Sequence, residues 1–241
     1  MVRRLIIRPL REDEYENYFK MRYEKATIHN PLLIKKVKGN IEMDVFDEFS
    51  LHVGAFLGEM LIGCARLVVP VNSQIKIKNY QNLKFIGSLS QARLREQEEI
   101  SNYSLPTSTF LNENSLKTLE DYFIKIQQKG KGISEIGRLI NFSDDSRIYR
   151  HIPALIRYIW ALNMYFDIDF CFLNASQKHA RFYERSFACQ ILFPSILINT
   201  GGPDLKCILR ADIFHPSPKH SPKIIEFKKL FEEKGICPVT I

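Results

Sequence analysis

The stretch DVFDEFSLHVGAFLGEMLIGCARLVVP, residues Asp44–Pro70, decides the fold because it contains two strand patterns joined by a tight turn. Apolar residues alternate with other residues over Phe49–Leu57, as they do in a strand with one buried face. The pair Gly58-Glu59 is typical of a tight turn, and Met60–Val69 is a second apolar run that ends at a proline. The stretch therefore predicts an antiparallel β-hairpin.

On both sides of this hairpin the chain alternates between extended and helical patterns. Further strands are predicted at Leu5–Ile7, Ile133–Phe142, Asp169–Leu173, Gln190–Phe193 and Asp204–Ile213. Amphipathic helices are predicted at Arg11–Ile28, Leu116–Gln128, Arg150–Phe166, Gln177–Phe187 and Ile224–Lys234. This order predicts an α/β (α+β) fold, with a mixed central sheet flanked by helices.

Two segments interrupt or follow the alternation. Residues 71–91 are dominated by Asn, Ser, Gln and Lys, and residues 101–115 have a loop-like composition. We therefore predict one domain over residues 1–213, with residues 71–132 as a helical insertion. Residues 214–241 are predicted to be a Pro-rich linker and a C-terminal amphipathic helix.

The charge balance suggests an acidic partner. The 34 Lys and Arg residues exceed the 27 Asp and Glu residues, which gives a net charge of +7 and a pI of about 9.1. Such a surface suits nucleic acid, lipid headgroups or an acidic protein, although it can also serve solubility alone. The basic residues are scattered and no helix-turn-helix pattern occurs, so we do not predict nucleic acid as the partner.

The five cysteines include no CxxC pair, and Cys64 and Cys171 lie in apolar runs. This usage predicts a reducing compartment, with neither a zinc site nor disulfides. The first apolar run is only three residues long and no cleavage site follows it, so we predict a strand there rather than a signal peptide. No apolar stretch reaches the length of a membrane span. A cytoplasmic protein without an integral membrane segment is the expectation.

The start of the hairpin stretch offers three chemical interpretations. Asp44 and Asp47 could chelate a divalent cation, but two carboxylates are too few oxygen ligands. Ser50 and His52 could be a nucleophile and its base, but residues two apart on a strand lie side by side, and no G-x-S-x-G elbow occurs. The third interpretation is two solvated turn carboxylates before a strand.

Three charged residues inside apolar strand patterns extend this group. They are Arg66 in the second hairpin strand, and Glu135 and Arg138 in the third strong strand. A charge in such a position is costly unless it is paired or bound, so these residues suggest one polar site with Asp44 and Asp47. An ordinary exposed sheet face is the alternative. A shared site also requires a β-bulge or an odd-length loop, because residues three apart point to opposite faces of a straight strand.

These motifs resemble those of the acyl-homoserine-lactone synthases and the related N-acyl amino acid synthases, a branch of the GNAT acyltransferase fold. The similarity rests on Met21-Arg22, Asp44-x-x-Asp47, Ser50-x-His52, Gly63-x-x-Arg66-Leu67, Glu135-x-x-Arg138-Leu139 and the segment Ala175–Phe193. It covers about residues 1–195 outside the insertion. The resemblance implies a GNAT-like fold with a bulged central strand and an acyltransferase activity without a bound cofactor or metal.

The sequence also departs from these families. Lactone synthases usually have an aromatic residue soon after the first-helix Arg and then a Trp, but this chain has Ala26 near the first place and no Trp before Trp160. The pair Ser50-x-His52 fits the N-acyl amino acid synthases better. The usual GNAT pyrophosphate loop is missing before Arg150, which favours acyl-phosphopantetheine on acyl carrier protein over acyl-CoA as the donor. The acidity of carrier proteins gives the net charge of +7 a specific meaning.

The resemblance implies a role for each site residue. Glu135 is expected to be the general base, and Asp44 or Asp47 to hold the ammonium group of a small-molecule amine. Arg66 or Arg138 is expected to bind an acceptor carboxylate or to fix the acidic residues. Four further residues complete the expected site; these are Tyr183, which would protonate the leaving thiolate, and the substrate-contacting or structural residues Arg22, Ser50 and His52.

The predicted function is therefore transfer of a fatty acyl group from a thioester to the α-amine of an amino acid or similar amine. Lactone synthesis from S-adenosylmethionine is the first alternative. A basic nucleic-acid-binding module and a GNAT-like protein without catalysis are two further ones.

Overall fold

The computed structural model of the protein describes residues 4–29, 40–44, 46–47, 50–69, 105–143, 151–196 and 206–240. Within these ranges there are eight strands and five α-helices. The strands are β1 Arg4–Pro9, β2 Ser50–Leu57, β3 Met60–Val68, β4 Ile133–Asn141, β5 Phe170–Ser176, β6 Gln190–Ile196, β7 Lys206–Asp212 and β8 Cys237–Thr240. The helices are α1 Tyr15–His29, α2 Glu113–Gln128, α3 His151–Tyr165, α4 Gln177–Phe187 and α5 Ser221–Lys234.

The strands form one mixed sheet in the order β6-β7-β5-β4-β3-β2-β1-β8. Neighbouring strands of this sheet are antiparallel, except that β4 and β5 run parallel. The predicted hairpin is confirmed as β2 and β3, joined by a turn in which Gly58 has a φ of +64°. The predicted mixed central sheet flanked by helices is also confirmed.

Helices cover both faces of the sheet. One face packs against α3 and α5 through a large apolar core that includes Leu51, Leu67 and Ile136. The opposite face is covered by α1 over β2 and β3, and by α2 over β5 and β7. Odd and even positions along β3 therefore meet different surroundings, since successive side chains on a strand point to opposite faces.

Several elements differ from the prediction. In the insertion, the loop-like part of the pattern contains a 3-10 turn at Pro106–Phe110, and α2 begins at Glu113 because Asn112 accepts a hydrogen bond from Ser115. Residues 70–104 of the predicted insertion lie outside the described residues.

The end of the chain differs as well. The predicted C-terminal helix is α5, but it begins at Ser221, within the segment predicted as a linker, and it packs on α3. The unpredicted strand β8 follows and pairs with β1. No helix among the described ranges has the length and apolarity needed to cross a bilayer.

Candidate functional site

Two β-bulges place the charged strand residues on one face. In β3 the extra residue is Ile62, since Phe56 pairs with Leu61 but Ala55 pairs with Gly63. This shift sets Arg66 opposite His52, whereas a regular hairpin would set it opposite Leu51. Cross-strand partners share a face of the sheet, so Arg66 and His52 point to the same side.

The second bulge lies in β4. Cys64 pairs with Ile140 and Arg66 pairs with Gly137, so two residues of β4 oppose one residue of β3. Arg138, one of these two, has a φ of +50°, in the left-handed region that few non-glycine residues adopt. The expected bulge is thereby confirmed, and Glu135 shares the face of Arg66.

Asp47 is the centre of a buried ion-pair network. Its Oδ1 accepts hydrogen bonds from Arg22 Nη1 and Arg66 Nη1, each at 2.7 Å, and its Oδ2 accepts from Arg22 Nη2 at 3.2 Å. Arg22 and Asp47 are fully buried. Burial alone would raise the pKa of Asp47, but the positive charges of Arg22 and Arg66 lower it well below its ordinary value.

Asp44 and Glu42 extend the network towards the surface. Asp44 accepts from Arg66 Nη1 at 2.6 Å and from Arg138 Nη2 at 3.0 Å. Glu42 pairs with Arg22 and lies 2.6 Å from Arg138 Nη2. The Asp44 side chain is 30% exposed and that of Arg138 is 24% exposed, so these two groups form the accessible edge of the network.

The network contains three guanidinium groups and three carboxylates, so its charges balance. The cations are Arg22, Arg66 and Arg138, and the anions are Glu42, Asp44 and Asp47. Desolvation offsets much of the attraction in such pairs, and we therefore ascribe to them a role in holding geometry more than in overall stability.

His52 and Ser50 are buried supports of this network. His52 Nδ1 lies 2.9 Å from the hydroxyl of Tyr18, and its Nε2 lies 3.1 Å from the backbone carbonyl oxygen of Asp47. Burial, together with the charges of Arg22 and Arg66, lowers the pKa of His52 to about 4, so the ring is neutral. The Ser50 hydroxyl donates to the carbonyl of Phe46.

Glu135 occupies a separate, buried position on the same face. Its side chain forms no ion pair within the described part of the chain, and its Oε2 accepts a hydrogen bond from the backbone N–H of Thr107 at 2.9 Å. Burial raises the pKa of Glu135 to about 7, although Thr107 and Arg66 each lower it. A carboxyl group with this pKa can accept and release a proton near neutral pH.

The sheet opens next to Glu135. β4 and β5 pair only through Ile133, Ser134 and Glu135, and the paired register does not continue to the ends of the two strands. A small, mostly apolar cavity of about 20 Å³ lies beside this opening. Its lining includes Ile136 of β4, Leu173 of β5, and Ile159 and Trp160 of α3.

Tyr183 also lines this cavity, from α4. Burial raises the pKa of its phenol to about 12. Its ring packs against the core on the side of α3 and α5, so Tyr183 approaches the opening from the face opposite to Glu135.

The structure thus brings Arg22, Asp44, Asp47, Arg66 and Arg138 into direct contact. Glu135 is on the same face without a hydrogen bond to them, and Tyr183 is on the other. Four of the residues predicted to bind substrate are buried and held by protein groups, and their contact with substrate stays a prediction; these are Arg22, Asp47, Ser50 and His52. Both Asp44 and Asp47 bind guanidinium groups, and across the described residues no cluster of three His, Cys, Asp or Glu side chains could hold a metal ion.

Three participating residues were not predicted. Glu42 lies two positions before Asp44, so the acidic spacing Glu42-x-Asp44-x-x-Asp47 could have indicated it. Tyr18 lies four residues before Arg22 on the predicted first helix, and residues at this spacing are neighbours on a helix, so its contact with Arg22 could also have been predicted. Thr107 lies in a segment without a charge or motif, and no sequence signal points to it.

Comparison with solved structures identifies the fold. BjaI, described as a CoA-dependent acyl-homoserine lactone synthase with SAM and isopentyl-CoA, matches with a TM-score of 0.54 and 14% identity, over 90% of this chain and 83% of that chain. The acyl-homoserine lactone synthase LasI matches with a TM-score of 0.53 and 10% identity, over 88% and 91% of the two chains. MesI, another CoA-dependent synthase, matches with a TM-score of 0.50 and 14% identity, over 92% and 95%.

No family model and no curated protein sequence matches the chain. The chain therefore shares the fold of the acyl-homoserine lactone synthases, which confirms at the level of fold the resemblance indicated by its motifs. At sequence identities this low, the structural matches show only that the fold is shared, and the activity has to be inferred from the chemistry of the site.

Proposed function

We propose that the protein is an N-acyltransferase that moves a fatty acyl group from a carrier thioester to the α-amine of an amino acid or similar amine. The observation that carries this proposal is the position of Glu135, a buried carboxyl group beside the Arg66 network and at the opening between β4 and β5. This position offers a base, a binding group for the acceptor and an entrance for the donor within one site.

Glu135 is the proposed general base. An α-ammonium group must lose a proton before its nitrogen can attack a thioester, and a base is most effective when its pKa lies near the working pH. A pKa of about 7 leaves a large fraction of Glu135 as carboxylate at neutral pH. The predicted role of Glu135 is thus consistent with its surroundings.

Arg66 is the proposed binding group for the acceptor carboxylate. Its Nη1 is occupied by Asp44 and Asp47, whereas its buried Nε has no hydrogen-bond partner among the described residues. Gly137 lies opposite this edge, and a Cβ there would lie 3.9 Å from both Nε and Nη2. The Nε and Nη2 edge of a guanidinium group fits a carboxylate bidentately.

Asp44 is the proposed partner of the acceptor's ammonium group. It is the most exposed carboxylate of the network, and it contacts Arg66 through Nη1 at 2.6 Å. A zwitterionic amino acid would then bind Arg66 through its carboxylate and Asp44 through its ammonium group. Asp47 suits this role less, because its Oδ1 already accepts from Arg22 and Arg66 and its Oδ2 accepts from Arg22 and from the backbone N–H of Asp44.

The donor is proposed to enter where β4 and β5 separate, with its acyl chain directed at the cavity bounded by Ile159 and Trp160. This cavity has room for about one water molecule, so it would widen to take the chain. Acyl carrier protein is the proposed carrier, because it is acidic and the chain is basic. Exposed basic residues of α4, which follows β5 directly, would suit such a partner; they are Lys178, Arg181 and Arg185. Residues 144–150, where the missing pyrophosphate loop would lie, are outside the described residues.

The proposed reaction conserves its atoms and protons. The amine nitrogen forms a bond to the thioester carbonyl carbon, and the carbon–sulfur bond then breaks. Glu135 takes one proton from the ammonium group before the attack and a second from the nitrogen after it and passes each to solvent, so one proton is released overall once the thiolate has been protonated. The leaving thiolate receives a proton from Tyr183 or from solvent, so an amide and a free thiol are formed.

Expression in a bacterial host followed by mass spectrometry of the lipid extract tests the proposal. New N-acyl amino acids, absent when the Glu135→Gln variant is expressed, are the expected result. The purified protein should then release thiol from acyl carrier protein thioesters faster than from matched acyl-CoA. A faster release from acyl-CoA would assign the donor to coenzyme A, and an extract without any N-acyl product would contradict the proposal.

Lactone synthesis is the second candidate function, favoured by the likeness to BjaI and LasI. In that reaction the amine of S-adenosylmethionine would be acylated at the same Glu135. Acyl-homoserine lactones in the extract, together with methylthioadenosine release by the purified protein, would distinguish it.

A further inference from the structure

Thr107 joins two strands at the point where the sheet opens. Its backbone N–H donates to Glu135 Oε2 of β4 at 2.9 Å, and its Oγ1 accepts a hydrogen bond from Asn174 Nδ2 of β5 at 3.4 Å. The side chain of Thr107, like its backbone N–H, lowers the pKa of Glu135. Thr107 and Glu135 are almost completely buried, so water does not replace these contacts.

The segment that carries Thr107 is itself firmly held. It is the 3-10 turn Pro106–Phe110, which follows the buried side chain of Leu105. Thr109 Oγ1 donates to the carbonyl of Pro106 at 2.8 Å, and the Ser108 hydroxyl donates to Glu120 of α2. The turn therefore presents Thr107 to Glu135 from a packed support.

We propose that Thr107 is a positioning residue for the reaction, which orients the Glu135 carboxylate towards the acceptor amine and favours its ionised form. This inference rests on the proposed function, in which Glu135 is the base. It assigns a role in the site to the inserted segment between β3 and β4.

The direction of the effect follows from the groups around Glu135. Burial raises its pKa, and the negative charge of Asp44 acts in the same direction. Hydrogen bonds from Thr107 and the positive charge of Arg66 lower it. Cys171 of β5 also interacts with Glu135, but burial raises the pKa of this thiol to about 12, so it is uncharged at neutral pH. Loss of the Thr107 hydroxyl should consequently raise the pKa of Glu135 above its present value of about 7.

The test compares three variants of the same turn. Thr107→Val keeps the branched shape and removes the hydroxyl, and Thr107→Ser restores the hydroxyl without the methyl group. Thr109→Val is the matched control, because it makes the same change two residues away at a hydroxyl that binds Pro106. The Glu135 pKa is measured in the free protein by infrared titration of the protonated carboxyl band, identified by its loss in Glu135→Gln.

We expect Thr107→Val to raise the Glu135 pKa by about one pH unit, because the variant keeps the backbone N–H bond but loses the side-chain hydroxyl that lowers this pKa. The acidic limb of kcat/KM should move by the same amount, with about a fivefold loss at pH 7 that is recovered at high pH. Thr107→Ser and Thr109→Val should both retain the wild-type titration. An unchanged titration in Thr107→Val, or an equal shift in Thr107→Ser, would overturn the inference.

The two proposals fail in different ways. If the protein forms no N-acyl product but the infrared titration shifts as expected, Thr107 tunes Glu135 and the proposed activity is wrong. If the product forms but only Glu135→Gln alters the pH profile, the activity stands and the role of Thr107 is wrong.

Discussion

Glu135 and Arg138 lie three residues apart on β4, and both side chains nevertheless reach the same face of the sheet. The bulge between them adds one residue to the strand, and Arg138 adopts a φ of +50° to accommodate it. Arg138 can then pair with Asp44, while Glu135 stays within electrostatic reach of Asp44 and Arg66. The site depends on this local departure from regular strand geometry, as active sites often do.

The first prediction concerns stability and pH. Burial raises the pKa of Glu135 from its ordinary value of 4.5, which applies in the unfolded chain, to about 7, so the folded state retains a proton that the unfolded chain loses. Its contribution to stability is therefore complete below pH 4.5 and is lost as the pH rises through 7. Glu135→Gln should match wild type at pH 4 and exceed its free energy of unfolding by roughly 3 kcal/mol at pH 8.

Urea denaturation of both proteins across this pH range measures the difference. Other titrating groups, such as His52, contribute equally to the free energy of unfolding of both proteins, so their contributions cancel in the difference. A constant difference between pH 4 and pH 8 would contradict the raised pKa of Glu135.

The second prediction is the catalytic effect of the same change. Glu135→Gln keeps the shape and an acceptor oxygen for the Thr107 N–H, but it cannot take a proton. We expect kcat to fall by about 100-fold or more, with little change in the KM of the acceptor. Steady-state kinetics on the purified variant checks this, and near wild-type activity would exclude Glu135 as the base.

The third prediction concerns the centre of the ion-pair network. Asp47→Asn leaves Arg22 and Arg66 buried with one counter-charge fewer, which should destabilise the fold by about 3–5 kcal/mol. Asp121→Asn is the control, because Asp121 is exposed on α2 and should change stability by less than about 0.5 kcal/mol. Equal losses in the two variants, measured by chemical denaturation, would show that the network contributes little.

The fourth prediction separates acceptor binding from chemistry. Arg66→Lys retains a positive charge near Asp44 and Asp47 but loses the two-donor edge formed by Nε and Nη2. The KM of the acceptor should rise about tenfold or more, while kcat changes less. Arg8→Lys, which alters the ion pair with Glu14, is the control and should leave both constants unchanged. A fall in kcat at constant KM would contradict the assignment.

The fifth prediction concerns the leaving thiol. Tyr183→Phe should lower kcat about tenfold or more, with no new pH dependence below pH 10, because burial raises the phenol pKa to about 12. Tyr165→Phe is a suitable control, since Tyr165 packs against Phe231 away from the cavity. Unchanged kinetics in Tyr183→Phe would show that Tyr183 has a packing role and does not protonate the leaving thiolate.

The fold could be predicted from strong patterns, and the misses have physical causes. Alternation in Phe49–Leu57 and helical spacing in α3 identified elements that are long and clearly periodic. Strand β8 has only four residues and contains Pro238, a residue that disfavours strands except at an edge, which is where β8 lies. The turn containing Thr107 has neither periodicity nor charge.

The site could be predicted in part. Charged residues within apolar strands, Arg66 and Arg138 among them, indicated the network because an unpaired charge there is costly. Which partner each would take depends on segments distant in sequence, such as Glu42 for Arg138 and Thr107 for Glu135. Pairings of that kind are set by tertiary packing, and one sequence does not contain the information.

The bulge at Ile62 makes this site sensitive to residue count. Deleting one residue of β3 ahead of Gly63 would exchange the odd and even positions of the rest of the strand. Arg66 would then point towards the apolar core. Substituting Ile62 by another apolar residue would leave the parity of the strand intact. Gains and losses of single residues, more than replacements, are therefore the sequence changes that would abolish this arrangement at one step.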